Sequence, residues 1–393
     1  MMRMTDPLTT VELPEGGALC AVSGGLDSMC LLEMTVRQGQ KQGRRVAAAH
    51  FNHQLRGAEA DRDEAFVRDW CAAREIPFFA GRGDVRAFAE ETGRTVEEAA
   101  RQLRYEFLEK IRRREGFGCI LTAHHADDSA ETMLLNLLRG TGLKGLTGIP
   151  EKRDCILRPL LSVTRAELAA YAAEHRIPFV EDSTNGTDDA ARNMLRHQVL
   201  PVLKKLNPRV VENMSRTASL LAADEAALDA ACRKLLAQCA VTPNVSGTVP
   251  LAMLQDAPEA LRGRLVLAVL AAVAGHEKDL TAAHIRAVLT LDRGQLSMPY
   301  GVTVLREPAG LRFFKAASAV QAVSVGETVT FGQWQVSLAE SAGEGVLISI
   351  SETADLTVTA WDSKDRLNGR TVKRLCGERG ISPQERDRLP VLR

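Results

Sequence analysis

A chain of 393 residues exceeds what one ordinary core accommodates and implies two or three domains. Hydrophobic residues at 45% and charged residues at 25% are those of a globular protein, and no apolar run reaches the roughly 18 residues that span a bilayer, which excludes a helical membrane protein. Net charge is zero, from 50 basic and 50 acidic residues, which excludes a uniformly cationic surface but not a local basic patch.

In chain order, the N-terminal segment lacks a basic start followed by an apolar core, so no secretory leader is expected. The next 180 or so residues alternate between two periods. Strand-length apolar runs occur at 18–22, 46–51, 77–80 and 119–122, and amphipathic helical stretches at 28–38, 59–74, 96–114 and 129–138. Strands alternating with helices imply βαβ units and an α/β fold, a doubly wound parallel sheet. Thr164 and Glu167 read as the capping box of a helix over 164–175, and Pro178–Glu181 as a last short strand. Residues 181–196 are polar, with Asn185-Gly186 as a turn signal. From about 199 to 291 the chain is Ala/Leu-rich and helical, interrupted over 242–250; beyond 296 short strand-type segments recur. The expected division is 1–197, an α/β catalytic domain; 198–315, a helical domain; and 316–393, a small basic α+β domain. Eight cysteines occur singly, with no C-x-x-C and no metal-site spacing, as in a reduced, cytoplasmic protein.

Ser23-Gly24-Gly25-Leu26-Asp27-Ser28 follows an apolar strand and opens a helix. Two glycines let the backbone approach a ligand, and the helix N-terminus offers N–H groups to an anion. Ser23 and Ser28 add hydroxyl donors. Asp27 repels a phosphate unless a Mg²⁺ ion bridges the two. The alternative is a plain strand-to-helix turn. The loop lacks the G-x-x-x-x-G-K-[ST] pattern, so γ-phosphate transfer is not its expected chemistry.

This loop resembles the PP-loop of the ATP pyrophosphatases, which cleave ATP between its α- and β-phosphates. Three further stretches narrow the likeness: Asn52-His53-Gln54-Leu55-Arg56-Gly57; Thr122-Ala123-His124-His125-Ala126-Asp127-Asp128-Ser129-Ala130-Glu131-Thr132; and Glu181-Asp182-Ser183-Thr184-Asn185 with Arg192-Asn193 and Arg196. Together they resemble the tRNA(Ile)-lysidine synthetase family, densely over 18–205 and weakly in the tail. The resemblance implies a ligase that adenylates the 2-oxo group of the wobble cytidine of a CAU-anticodon isoleucine tRNA. Free lysine then displaces AMP. ATP and Mg²⁺ are the implied cofactors and the tRNA the implied partner; a homodimer is among the expectations.

Such chemistry asks for an electrophilic α-phosphorus, a neutralised leaving group and a base for the protonated lysine amine. Asp27, Asp127 and Asp128 are the candidates for metal contact, with helix capping as the alternative for the Asp pair. Asp27 and His124 are both candidate bases. A zinc reading of His124 and His125 lacks a further Cys or His. Arg101 and Arg104 share a helical face, within a stretch of six basic and three acidic residues over 101–115. With Arg192, Asn193 and Arg196 they are candidate ATP or tRNA contacts, against the alternative of a solvated face. Residues 363–393 carry nine basic and four acidic residues, suited to gripping a tRNA body. There the chain reads Trp361-Asp362-Ser363-Lys364-Asp365-Arg366, without the Gly that the family pattern implies, and a shortened or divergent C-terminal region is expected. The competing functions are a tRNA thiolase, a small-molecule amidating enzyme and a non-catalytic RNA-binding module.

Overall fold

The run Ala18–Ala21 shows why the N-terminal half is layered. Along this strand Ala18 and Cys20 face one side and Leu19 the other, and all three are fully buried. A strand apolar on both faces needs helices on both. The computed structural model describes residues 11–55, 57–181 and 190–315, with Leu8 and seven short strands beyond 316. Residues 182–189, which hold most of the Glu181–Asn185 motif, lie outside the described residues, as do Cys376 and most of the basic tail. The chain divides into two compact units, Met1–Glu225 and Ala226–Arg393.

The first unit contains a six-stranded sheet in the order β3-β2-β1-β4-β6-β5. Its strands are β1 (Ala18–Ala21), β2 (Val46–Asn52), β3 (Phe78–Arg82), β4 (Cys119–Leu121), β5 (Lys152–Arg153) and β6 (Ile156–Leu157). Every neighbouring pair is parallel except β5 and β6. The helices are α1 (Leu26–Gln42), α2 (Ala58–Ala72), α3 (Val85–Thr92), α4 (Val96–Glu115), α5 (Ala126–Arg139), α6 (Leu143–Leu146), α7 (Arg165–His175), α8 (Ala190–Met194) and α9 (Leu200–Leu206), and the chain passes into the second unit within α10 (Val210–Leu236). The doubly wound α/β expectation therefore holds. One face packs Met29, Leu32, Val67, Trp70, Leu168 and Tyr171 of α1, α2 and α7 on Ala18, Cys20 and Leu121. The other packs Leu108 and Ile111 of α4 on Leu19, Ala47, Ile120 and Ile156. The strand order reverses between β1 and β4, and this topology opens a crevice at the strands' carboxyl ends.

Two local expectations are corrected. Residues 178–181 are no sheet strand; Val180 N–H donates to Gly24 O at 2.9 Å, and the segment stays outside the ladder. The place beside β4 goes instead to the β5–β6 hairpin, whose two-residue strands are too short for a period to register. Asp154 turns that hairpin at φ 54°. The capping box at Thr164 forms as expected, with Thr164 N–H donating to Glu167 at 2.8 Å.

In the second unit the interruption at 242–250 is a hairpin and not a loop. Strands β7 (Ala240–Thr242), β8 (Ser246–Pro250), β9 (Gly294–Ser297), β10 (Val302–Glu307) and β11 (Gly310–Lys315) form an antiparallel sheet in the order β7-β8-β11-β10-β9. Helices α11 (Leu251–Asp256), α12 (Glu259–Ala274) and α13 (Ala282–Leu289) accompany it. Leu265, Val266, Val269 and Val273 of α12 share one core with Val249, Val304 and Phe313 of the sheet. Among the described residues no helix is long and apolar enough to cross a membrane.

Leu32 is fully buried under the first sheet. Leu32→Ala should lower the stability of the first unit by about 2–5 kcal/mol, read as a lower urea midpoint at an unchanged m-value.

Candidate functional site

Residues 23–28 leave the end of β1 and turn directly into α1. Gly24 sits at φ 97°, a backbone that side chains rarely adopt, and its carbonyl holds Val180. Gly25 has an ordinary extended backbone and is the N-cap, with no side-chain acceptor. The first-turn amides of α1 therefore have neither an intrahelical nor a capping partner. The hydroxyls preshape the loop: Ser28 Oγ donates to Gly25 O at 2.9 Å and accepts from Ser23 N–H at 3.2 Å. Ser23 Oγ lies 3.1 Å from Ser28 Oγ and accepts from Gly25 N–H at 3.3 Å.

The second motif leaves β4 and enters α5 directly across the strand reversal. Its His125, 3% exposed, is enclosed by acids. Nε2 lies 3.5 Å from Asp27 Oδ2 and 3.5 Å from Asp128 Oδ2, and Nδ1 lies 3.8 Å from Asp127 Oδ2. Burial opposes protonation, but these three carboxylates outweigh it and raise the imidazole pKa. His125 thus ties the two motifs together electrostatically.

The carboxylates divide by partner. Asp127 accepts from the Arg165 backbone N–H at 2.9 Å, at the start of α7, and from Lys204 Nζ at 2.8 Å. Burial would raise its pKa; the Lys204 hydrogen bond, with Arg165 and His125, lowers it on balance. Asp128 accepts from His125 N–H at 3.1 Å and from Arg196 Nη2 at 3.2 Å. Asp27 differs: its Oδ1 is buried without a hydrogen-bond partner. A single carboxylate with a free oxygen fits a Mg²⁺ ion that takes its remaining ligands from substrate phosphates and water. Among the described residues, no group of three or more His, Cys, Asp or Glu could hold a metal by itself.

Arg192 and Arg196 converge on Glu131, which is 1% exposed. Arg192 Nε donates at 2.9 Å, and Arg196 donates through Nε at 2.7 Å and Nη2 at 2.9 Å. Both arginines also line the cavity. Asn193 is half-buried on the same helix and does not line it. Glu131 and Lys204 were not singled out from sequence; an acid one helical turn after Asp127, on the same motif helix, was the available signal for Glu131.

These groups line a cavity of about 950 Å³, with Ser23, Gly25, Asp27, Ser28, Asn52, His124, Asp128 and Arg104 around it and Phe179 and Val180 on its wall. Asp127 instead lines a smaller adjoining cavity with Lys204 and Glu131. His124 bonds the Thr122 hydroxyl through Nδ1 at 3.0 Å. Burial, helped by Arg158, Arg104 and Arg101 against the pull of Asp128, lowers its pKa to about 4. It is a neutral imidazole at pH 7. Arg104 reaches the cavity from α4, whereas Arg101 is exposed outside its lining.

A phosphate loop at the β1 end is matched by comparison with known proteins. The PP-loop domain model covers residues 3–203. The chain belongs to the PP-loop family of ATP-binding domains. The tRNA(Ile)-lysidine synthase of Porphyromonas gingivalis is 44% identical over 200 residues, covering 51% of this chain and 43% of that protein. That of Geobacillus kaustophilus is 33% identical over 305 residues, covering 75% and 66%. The chain thus spans under half the length of the first of these relatives. A solved structure, the U34-tRNA thiolase NcsA of Methanococcus maripaludis, is similar at 16% identity and a TM-score of 0.45, covering 55% of this chain and 76% of that one.

Two outcomes test the PP-loop site as described. Glu131→Gln should cost about 1–3 kcal/mol in urea unfolding; this is less than for a fully buried pair because the Arg192 and Arg196 side chains are 31% and 29% exposed. For His124, the folded pKa of about 4 lies below the ordinary 6.5. Its contribution to stability is complete above pH 6.5 and is lost as pH falls toward 4, because the unfolded chain binds the proton first. Urea midpoints should fall over that interval, and His124→Gln should flatten the fall.

Proposed function

We propose that this protein is a tRNA(Ile)-lysidine synthetase, a carbon–nitrogen ligase that uses ATP to attach lysine to the wobble cytidine of a CAU-anticodon isoleucine tRNA. The observation that carries this reading is the facing of two motifs across the strand reversal. Asp27 of the phosphate loop and His125 of the second motif meet at 3.5 Å, beside a cavity large enough for a nucleotide and a base. The relatives named for this activity, at 44% and 33% identity, support it.

In this reading the triphosphate lies against the uncapped amides of α1, where the helix dipole favours anions. A Cβ on Gly25 would touch only Ser23 Oγ, at 3.5 Å. The protein alone therefore tolerates a side chain there, whereas a phosphate lying on the backbone does not. Asp27 would hold Mg²⁺, which supplies charge neutralisation for the departing pyrophosphate. The cytidine 2-oxygen attacks the α-phosphorus and the α–β bridging bond breaks. The lysine ε-amine then attacks C2, the C2–O bond breaks and AMP leaves. His124, neutral and beside the cavity, takes the proton of the attacking amine better than Asp27, which this reading assigns to the metal. Arg192 and Arg196 are held by Glu131 as cavity-wall cations for phosphate. Asp127 and Asp128 act chiefly by fixing the α7 N-terminus, Arg196 and His125. Residues 198–315 and the basic stretch 363–393 would bind the tRNA body. No described cysteine lines the cavity, which disfavours thiolation by paired cysteines.

Labelled lysine, ATP and Mg²⁺ should yield label in the CAU-anticodon isoleucine tRNA and none in the methionine tRNA. Asp27→Asn should reduce that product by at least about 100-fold, the scale of losing one electrostatic stabiliser of the transition state. ATP turnover with no label in either RNA would overturn the assignment.

A further inference from the structure

Arg104, which lines the cavity, belongs to a cluster of cations without carboxylate partners that extends outward from the lining. Tyr105 of α4 has the Arg101 guanidinium carbon 5.1 Å from its ring centroid, that of Arg104 at 5.4 Å and that of Arg153 at 5.5 Å. Arg158, just past β6, is 2% exposed and lies close enough to join Arg104 and Arg101 in lowering the phenol pKa against the effect of burial. Arg158 donates to Pro150 O at 2.6 Å through Nη1, and its Nε is buried without a partner. Among the described residues no carboxylate forms an ion pair with any of these arginines. The acids of α5 differ: Asp127, Asp128 and Glu131 are matched by Lys204, Arg196 and Arg192.

The cluster is graded in depth. Arg101 and Arg153 are exposed, Arg104 is half-buried on the cavity wall, and Arg158 is buried. It is also on the wrong side for the triphosphate: α4 packs on one face of the sheet, and α1, with the phosphate loop at its start, on the other. Several guanidiniums in a row exceed what one carboxylate needs, and guanidinium forks match phosphate oxygens. Their order, from solvent to cavity, is that of a polyanion threading inward.

We propose that Arg101, Arg153 and Arg104, gathered around Tyr105 and backed by buried Arg158, form the track for the RNA backbone beside the nucleotide that enters the cavity. Consecutive phosphodiesters would lie on the guanidiniums of Arg101, Arg153 and Arg104, and buried Arg158 would add positive charge behind them. This rests on an RNA being the substrate, as proposed above, and adds which surface holds it.

The test uses the full chain and a transcript of the CAU-anticodon isoleucine tRNA. The double variant R101Q/R153Q changes only exposed side chains. It should bind the tRNA about 10-fold more weakly, with a salt slope shallower by about 1.4, near 0.7 for each single-strand phosphate that is no longer neutralised. R101K/R153K should restore most of the slope. ATP affinity without RNA, from a fluorescent-nucleotide titration, should stay within about twofold. An unchanged tRNA affinity and slope would overturn the track. A fall in ATP affinity alone would overturn it in favour of a triphosphate site, and a rise in the lysine KM alone in favour of a carboxylate site. A wild-type chain that binds ATP but no tRNA would overturn both this inference and the ligase reading. Wild-type modification with an unaltered variant slope would overturn only the track.

Discussion

Everything in the first unit depends on the reversal of strand order between β1 and β4. Strands β2 and β3 lie to one side of β1, and β4, β6 and β5 to the other. The chain leaves β1 and β4 in diverging directions, and their carboxyl ends are left facing one crevice. Both strands are short and followed within a few residues by a helix. Two helix N-termini therefore point at the same space, each with first-turn amides that lack intrahelical partners. An anion is favoured there before any side chain is considered.

That same convergence creates the electrostatic problem the side chains solve. Asp27, Asp127, Asp128 and Glu131 are brought close together, all at most partly exposed. Unpaired, they would repel one another and each would carry a desolvation cost. Lys204, Arg196 and Arg192 neutralise three of them, and His125 sits against the Asp residues. Three of these cations come from residues 192–204, far in sequence from the phosphate loop and the His124–Thr132 motif. The segment after the sheet is thereby tied to the site by charge, and Asp27 alone keeps an oxygen without a partner. The cluster around Tyr105 of α4 is left with cations in excess.

Much of the fold was legible because periodicity reports burial directly. The strand at 18–22 and helices such as 96–114 emerge nearly at their observed bounds, since long amphipathic stretches repeat their signal many times. The β5–β6 hairpin, with strands of two residues, gives periodicity nothing to repeat. Residues 178–181 look like a strand because their apolar side chains wall a cavity rather than join a ladder. In the second unit, Ala/Leu-rich text suggests helices alone, yet α12 buries its side chains on a sheet built from flanking segments. An apolar helix face does not encode whether its partner is helix or sheet.

The sequence by itself determined the phosphate loop, the Asp27 and His124–Asp128 motifs and the α/β class, because these are local: a strand, a glycine turn and a helix start are written in consecutive residues. Only the tertiary structure decided which acid keeps a free oxygen, since Lys204, Arg196 and Arg192 reach the others across the fold. It likewise gathered Arg101, Arg104, Arg153 and Arg158 from scattered basic residues into one cluster around Tyr105. Charge pairing depends on distance in space, and two neighbours on a helix carry no record of what the sheet brings beside them.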